Sequence, residues 1–271
     1  MTERSHRGGP LWAAYEYVAM VVGLGFLAFM CLLWLPFAMI LHPLLPRRWG
    51  QPLGRRVIMG AFRIYTIFLQ VLCACRFDLA AIDKLRDQGA LVVVANHPSL
   101  LDVVMIVSRL PNVVCVMKAQ LMDNILFGAA ARLARYIRND SALDMVRDAR
   151  NELQRGAQLV IFPEGTRTTR FPINSCLPTA GLIAKRSGTP VQALCIEFSS
   201  PYLGKQWPLF KRPKLPLRFR VRLGERFTAP RDVSAFATAL EEYFRVELTS
   251  PESPTASRGN APHEATLPHQ S

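Results

Sequence analysis

The chain has 271 residues and a formal net charge of +13, which allow one substantial core and indicate an anionic partner. An anionic membrane surface and a nucleic acid are the two partner classes that fit this charge. Only five histidines occur, and four of them lie before residue 43 or after residue 262. This distribution of the histidines argues against a metal site with several histidine ligands. The six cysteines are irregularly spaced, which is typical of reduced, buried thiols.

The N-terminal part of the chain is strongly apolar. Residues 18–41 form an uncharged run of 24 residues, long enough for a helix that crosses a bilayer core of about 30 Å. A cleaved signal peptide is the alternative, but the run is too long and no small-residue cleavage site follows it. Residues 57–75 predict a second apolar helix that spans, re-enters or lies on the membrane. Residues 1–75 are therefore expected to anchor the protein as a membrane helix or helical hairpin.

The arginines around the first apolar run are unevenly distributed. Four of them lie between residues 47 and 56, directly after the run, whereas two lie between residues 4 and 7. The positive-inside rule therefore predicts an inner-membrane (cytoplasmic-membrane) protein whose catalytic part faces the cytoplasm.

Residues 76–249 alternate between strand and helix patterns. The predicted strands cover 77–82, 91–95, 113–117, 158–162, 191–198 and 217–223, and the predicted helices cover 100–110, 119–135, 142–153, 179–186 and 232–248. This alternation predicts one catalytic domain of the α/β class, with a mostly parallel sheet flanked by helices. The last strand has one apolar and one cationic face. Residues 250–271 are rich in Pro and Ser and are expected to form a disordered tail.

One predicted buried strand leads directly into Asn96 and His97, with Asp102 five residues after the histidine. Pro98 keeps His97 out of helical geometry, and Ser99 is a good N-cap for the helix that follows. The imidazole is thus expected at the carboxyl end of a strand, where ligands bind in such sheets. A His beside an Asp suits deprotonation of a hydroxyl or amine. A purely structural strand end and helix cap is the alternative for this pair.

A second polar cluster, Phe-Pro-Glu-Gly-Thr-Arg at 162–167, follows another predicted strand. Parallel strands would place Glu164 and Arg167 on the same sheet edge as His97. Gly165 permits close backbone approach, and Arg167 suits a phosphate or carboxylate. A simple strand-end turn is the alternative for this segment alone. The chain has no G-x-S-x-G turn, which argues against a serine esterase of that type.

Over about residues 91–198 the chain resembles the 1-acylglycerol-3-phosphate acyltransferases and related glycerolipid acyltransferases. Asn96, His97 and Asp102 match the N-H-x-x-x-x-D motif of that family, and residues 162–167 match its F-P-E-G-T-R motif. The resemblance implies the glycerolipid acyltransferase fold. It also implies that His97, oriented by Asp102, activates a hydroxyl to attack an acyl thioester of coenzyme A or acyl carrier protein. No cofactor or metal is implied.

The same resemblance implies a set of substrate-binding residues around this pair. They are Asn96, Lys118, Arg138, Glu164, Gly165, Thr166 and Arg167. Glu164 and Arg167 are expected to position the acceptor. Lys118 and Arg138 fall in the weaker middle motif and are implied ligands of an anionic group, with an ordinary solvated surface as the alternative.

The chain departs from the family pattern after Arg167, where Phe-Lys-x-Gly is frequent and this chain has the segment 174–179. It also has Ala193 where the last motif usually has a proline. These departures do not affect His97 and Asp102, but they leave the identity of the acyl acceptor open. Lysophosphatidate is the expected acceptor, which gives phosphatidic acid, with an ornithine-type lipid, another lysolipid or a polyketide-like lipid as alternatives. The alternative to an enzyme is a non-catalytic membrane protein that binds lipid. Nucleic acid is not an expected partner.

Overall fold

The computed structural model describes residues 9–208 and 211–250, and seven strands in this part of the chain form one sheet. The strands are β1 (Cys75–Asp78), β2 (Leu91–Ala95), β3 (Val113–Met117), β4 (Ile137–Arg138), β5 (Gln158–Ile161), β6 (Val191–Phe198) and β7 (Leu217–Phe227). Their order is β1-β7-β6-β2-β5-β3-β4, and only the β6–β7 pair is antiparallel. The predicted fold class, α/β with a mostly parallel sheet, is confirmed.

Helices cover the sheet and precede it in the chain. They are α1 (Pro10–Leu44), α2 (Arg47–Leu72), α3 (Ala80–Asp83), α4 (Leu101–Val107), α5 (Ala119–Asp123), α6 (Ile125–Leu133), α7 (Ala142–Gln154), α8 (Thr179–Ser187) and α9 (Val233–Thr249). Local chemistry explains several of their ends. The Ser141 side chain accepts a hydrogen bond from the Asp144 N–H at the start of α7, and Gly188 ends α8 with a φ of 67°.

Several elements differ from their predicted bounds. The helix predicted over 119–135 is divided into α5 and α6, because Asn124 has extended backbone angles. The strand predicted over 77–82 lies at 75–78 and is followed by the short helix α3. The last strand continues to Phe227. The predicted disordered tail lies, from residue 251 onward, outside the described residues.

The centre of the sheet is β2, in which every residue is buried. It pairs in parallel with β5 on one side and with β6 on the other. A strand that is buried on both faces needs the continuous apolar run that residues 91–95 provide. The carboxyl ends of β2, β5 and β6 consequently meet at one edge of the sheet, and the polar residues that follow them are brought together there.

Of the described helices, α1 alone is long and apolar enough to cross a membrane. It begins before and ends after the predicted run 18–41 and continues through Pro36. Near its start, Glu16 accepts hydrogen bonds from the Arg212 side chain and the Leu215 N–H, both at 3.0 Å. Near its end, Ala38 packs with residues of α6. Both halves of α1 therefore contact the α/β part of the protein.

Helix α2 begins at Arg47, ten residues before the predicted second apolar helix, and ends at Leu72. Arg55 is only 3% exposed and its guanidinium lies 2.7 Å from Glu152 of α7. Arg47 of the same helix also binds Glu152. One side of α2 therefore carries charged residues that bind the sheet domain.

Candidate active site

Asn96 is the first polar residue after β2 and is 3% exposed. Its side-chain amide donates to the Ile196 carbonyl at 2.9 Å, and its side-chain oxygen accepts from the Ile196 N–H at 2.7 Å. Both polar atoms of the side chain are thus used on the backbone of β6. This pairing extends the contact between β2 and β6 by one residue and fixes the backbone from which His97 projects.

His97 and Asp102 form the hydrogen-bonded pair at the centre of this edge. The His97 Nδ1 lies 2.9 Å from Asp102 Oδ2, and the same oxygen accepts the Ser99 N–H at 2.8 Å. A carboxylate only accepts, so the Nδ1 of a neutral imidazole must carry the proton. Nε2 is then the nitrogen that can accept a proton. The Phe162 ring stacks on the imidazole with centroids 3.9 Å apart, which limits its rotation.

Asp102 is completely buried, and its Oδ1 has no hydrogen-bond partner among the described residues. Burial raises the pKa of this carboxyl, and the hydrogen bond from His97 opposes part of that rise. A buried carboxylate that holds a histidine in one tautomer also stabilises the imidazolium that forms when the ring takes up a proton. The pair has the geometry of a general base and its orienting acid.

Replacing Asp102 by asparagine removes a desolvated charge, so the stability of the variant relative to wild type should be higher at neutral pH than in acid. Because burial raises the pKa of Asp102, its carboxylate form lowers the free energy of unfolding of wild type above this pKa, and this loss of stability disappears as the pH falls through it. As the pH falls through this pKa, wild type should therefore gain stability relative to the variant. Urea unfolding at a series of pH values measures this change, and a stability difference that is the same at neutral and acid pH would contradict the expectation.

Glu164 is 6% exposed and joins the second motif to the backbone at His97. Its Oε1 accepts from the His97 N–H at 2.9 Å and from the Thr168 hydroxyl at 2.7 Å, and its Oε2 accepts from the Asn174 N–H at 2.9 Å. The Thr168 N–H donates in return to the His97 carbonyl at 2.7 Å. Burial raises the pKa of Glu164, and these hydrogen bonds oppose the rise. In this arrangement Glu164 fixes the backbone of His97.

Two residues in this arrangement, Thr168 and Asn174, were not identified from the sequence. Thr168 directly follows the second motif, four residues after Glu164. A hydroxyl so close in sequence to an acid at a strand end could have marked Thr168 as a hydrogen-bond partner of Glu164. Asn174 takes part through its backbone N–H as well as its side chain, which accepts from Thr169. A backbone donor can come from nearly any residue type, so no sequence pattern marks it.

Gly165 adopts a φ of +65°, and a Cβ at this position would lie 2.7 Å from the Leu177 Cδ1. Thr166 beside it is half-buried. The turn that carries Glu164 therefore favours a residue without a side chain because of its backbone angles. The Leu177 contact adds little, since Leu177 is 49% exposed and its side-chain end can move aside.

Replacing Gly165 by alanine should lower kcat/KM roughly tenfold or more, because the displaced turn moves the groups that hold His97. The positive φ should also cost about 1–2 kcal/mol of stability. Gly89→Ala is the matched control, since Gly89 has a φ of +68° and open space around its Cβ position. It should lose similar stability and keep its activity. Equal activity of the two variants in a steady-state assay would contradict the inference that this turn positions His97.

Arg167 does not extend from the turn as a free cation. Its Nη1 donates to the Leu203 carbonyl at 2.9 Å and to the Gly204 carbonyl at 2.7 Å, in the loop that follows β6. The Leu203 carbonyl also accepts the Leu100 N–H at 3.2 Å, next to the start of α4. Burial lowers the pKa of Arg167, and the charge of Asp102 opposes this shift. Arg167 thus connects the second motif to the loop on the β6 side of His97.

Lys118 and Arg138 lie further along the same edge, at the ends of β3 and β4, with β5 between them and β2. Both are exposed. Arg138 binds Asp123 and Asp140, and its hydrogen bonds lower the pKa of both carboxyls. The Lys118 ammonium has no hydrogen-bond or ion-pair partner in the described part of the chain, whereas its carbonyl accepts the Leu121 N–H at 2.9 Å. The structure thus groups His97, Asp102, Glu164 and Arg167, and separates Lys118 and Arg138 from them.

A small apolar cavity of about 230 Å³ lies on the β6 side of the residues that flank His97. Asn96 and Pro98, which flank His97, line it together with side chains such as Phe171, Phe198 and Leu248. Over residues 9–208 and 211–250, no group of three or more His, Cys, Asp or Glu side chains could hold a metal ion.

Comparison with known proteins places this site in a matched region. Residues 76–197 match the family model described as Acyltransferase. The chain is 30% identical over 105 residues to a 1-acyl-sn-glycerol-3-phosphate acyltransferase of Helicobacter pylori, which is 35% of this chain and 44% of that protein. It is 32% identical over 190 residues to lysophosphatidylcholine acyltransferase 1 of Rattus norvegicus, which is 64% of this chain and 34% of that protein. The chain thus spans less than half the length of these curated relatives.

A solved structure has the same fold. The crystal structure of the 1-acyl-sn-glycerophosphate (LPA) acyltransferase PlsC from Thermotoga maritima superposes with a TM-score of 0.65 at 16% identity. The match covers 86% of this chain and 96% of that chain. At this identity the likeness concerns the fold, including the N-terminal part that precedes the sheet.

Proposed function

Because residues 76–197 of this chain belong to the acyltransferase family, we propose that the protein transfers an acyl chain from a thioester to the hydroxyl of a lysophospholipid. The proposed acceptor is 1-acylglycerol-3-phosphate, and the product is phosphatidic acid. The observation that carries this proposal is the His97–Asp102 hydrogen bond of 2.9 Å at the carboxyl end of the central strand, inside the matched region.

The proposed reaction needs one base and no cofactor. The His97 Nε2 takes the proton of the acceptor hydroxyl while the oxygen attacks the thioester carbonyl. A carbon–oxygen bond forms, the carbon–sulfur bond breaks, and the leaving thiolate takes the proton from the imidazolium. Asp102 stabilises the imidazolium between these two steps. The acyl chain passes directly from donor to acceptor, so no acyl-enzyme forms.

We place the protein at a membrane through α1. A helix of 35 residues is about 52 Å long, which exceeds a bilayer core of about 30 Å. Glu16 and Ala38, on the two halves of α1, both contact the α/β part, which supports a helix that lies along the membrane surface. The outer side of α1 carries exposed apolar side chains, among them Val22, Phe29 and Leu33. A cytoplasmic location of the active site is part of the proposal and rests on the arginine distribution of the sequence, in which Arg48 and Arg56 are the two of the four arginines after α1 that are exposed and do not bind Glu152.

The direct test uses the purified full chain in detergent with a labelled acyl thioester. Lysophosphatidate, lysophosphatidylcholine and an ornithine lipid are supplied separately as acceptors. We expect labelled phosphatidic acid with lysophosphatidate at a higher kcat/KM than either other product. Labelled free fatty acid without any acceptor would indicate a thioester hydrolase, and acylation of the ornithine lipid alone would replace the proposed acceptor.

A further inference from the structure

The loop between β6 and β7 lines a second cavity, of about 440 Å³. Lys205, Lys211 and Lys214 are all exposed and all line it. A volume of this size is typical of a site for a small organic ligand. Three ammonium groups around one concave site favour a ligand with several negative charges.

The three lysines are available to a ligand. The neighbouring Arg212 is paired with Glu16 at 3.0 Å, whereas the lysines have no carboxylate partner among residues 9–208 and 211–250. The Lys211 ammonium lies 4.8 Å from the centre of the Trp207 ring, and the Trp207 Nε1 donates to the Lys211 carbonyl at 3.0 Å. Trp207 therefore holds both the backbone and the cation of Lys211, which reduces the entropy lost on binding.

This cavity adjoins the apolar cavity beside His97. Thr168, Thr169, Pro201 and Gly204 line both of them. Gly204 is also one of the two residues whose carbonyls bind Arg167. A continuous depression therefore leads from the residues that flank His97 to the three lysines.

The depression lies on the β6 side of His97, whereas Lys118 and Arg138 lie on the β5 side. In the proposed reaction the attacking hydroxyl and the thioester meet at His97, and each belongs to a molecule with a phosphorylated end. On the β5 side Arg138 is paired with Asp123 and Asp140, so the three lysines on the β6 side outnumber Lys118 as cations without a carboxylate partner in the described part of the chain. Lysophosphatidate carries one phosphate group, whereas coenzyme A carries three, so a site with three lysines suits the donor better than the acceptor.

We infer that Lys205, Lys211 and Lys214 bind the phosphates of the 3′-phospho-ADP moiety of coenzyme A, so that the acyl donor is a coenzyme A ester. This inference rests on the proposed function. The 3′-phosphate and the diphosphate together match three lysines around a concave site. An acyl carrier protein would instead present an acidic protein surface, for which a broad, flat cationic face is the better complement.

The test measures binding of adenosine 3′,5′-bisphosphate to the full chain in detergent by isothermal titration calorimetry. The variant Lys205→Gln/Lys211→Gln/Lys214→Gln should bind it roughly tenfold or more weakly, because each lost charge-assisted hydrogen bond is strong. Its KM for acyl-coenzyme A should rise by a similar factor, with the KM for the acceptor unchanged. In the wild-type protein the bisphosphate should compete with acyl-coenzyme A and not with the acceptor, a result that needs no variant.

The control removes three exposed positive charges elsewhere, in the variant Lys84→Gln/Arg86→Gln/Arg150→Gln, and should bind the bisphosphate like wild type. Equal losses in both variants, or no binding by the wild type, would overturn the inference. So would a lysine variant that loses only activity with acyl carrier protein, or only sedimentation with phosphatidylglycerol vesicles. His97→Ala should still bind the bisphosphate. Lysine-dependent binding without any acyl transfer would therefore reject the proposed function and keep the nucleotide site.

Discussion

The variant His97→Ala should transfer acyl chains about 10²–10⁴-fold more slowly than wild type, because the hydroxyl loses the base that removes its proton. The Nδ1 is engaged by a fully buried carboxylate and the ring is stacked on Phe162, so one nitrogen in one orientation carries the effect. The loss should appear in kcat, measured at saturating donor and acceptor, since the backbone contacts around the site remain. Binding of both substrates should change little.

His42→Ala is the control for loss of an imidazole, because His42 lies in the last turn of α1 and should be dispensable. The double variant His97→Ala/Asp102→Asn adds a sharper test. Asp102 acts through His97, so the double variant should be no slower than His97→Ala alone. A further loss on adding Asp102→Asn would show that Asp102 acts independently of the imidazole. Activity of His97→Ala within about threefold of wild type would reject the general base.

The sequence predicted the features of this site that depend on local pattern. A buried strand and the spacing of His97 and Asp102 are both set within twelve residues. The helix predicted over 100–110 covers only 101–107, and its N-cap is Leu100 rather than Ser99, although the Ser99 hydroxyl accepts the Leu101 N–H at 3.2 Å. The common edge of β2 and β5 followed from the rule that parallel strands end on the same side. The structure agrees with both expectations, and the hydrogen bond between His97 and Asp102 is the geometric result.

The partners of the predicted substrate-binding residues could not be read in the same way. Asn96, Glu164 and Arg167 each bind backbone groups of segments between 10 and 100 residues away in the chain. Any residue can supply a backbone N–H or carbonyl, so composition and spacing give no sign of such a contact. Motif resemblance implied that these three side chains contact substrate. We propose instead that they position His97 and the loops around it, as the Gly165→Ala comparison can test.

The N-terminal helices show a second limit of local pattern. The sequence predicts that the second apolar helix begins at residue 57, so that the flanking Arg47 and Arg55, with Gln51 between them, would precede it. They are the first turns of α2, and all three bind Glu152, about 100 residues further along the chain. Charged residues that follow an apolar run in the sequence can therefore bind a distant part of the fold instead of flanking a membrane helix. Replacement of Glu152, which all three residues bind, should consequently be strongly destabilising.

Replacing Glu152 by glutamine should reduce the free energy of unfolding by about 3–5 kcal/mol, because it leaves a buried guanidinium without a counter-charge. Glu152 is 2% exposed and accepts from four side chains, those of Arg47, Gln51, Arg55 and Arg155. Burial alone would raise its pKa, but the hydrogen bonds and charges of Arg55 and Arg47 outweigh burial and lower the pKa overall. The stabilisation is therefore present at neutral pH and is lost as the pH falls through the lowered pKa.

Thermal unfolding in detergent should show the loss as a decrease in Tm of about 10 °C at neutral pH. The difference in Tm between the variant and wild type should shrink in acid, where Glu152 of wild type is protonated and is uncharged like glutamine. Glu242→Gln removes the same charge from an exposed pair with Arg245, at 3.6 Å, and should change stability by less than about 1 kcal/mol. Because the donors to Glu152 include three residues of α2, limited proteolysis should cut the Glu152→Gln protein between α2 and β1 sooner than wild type. Equal Tm values for the two variants would mean that α2 is held by its apolar contacts alone.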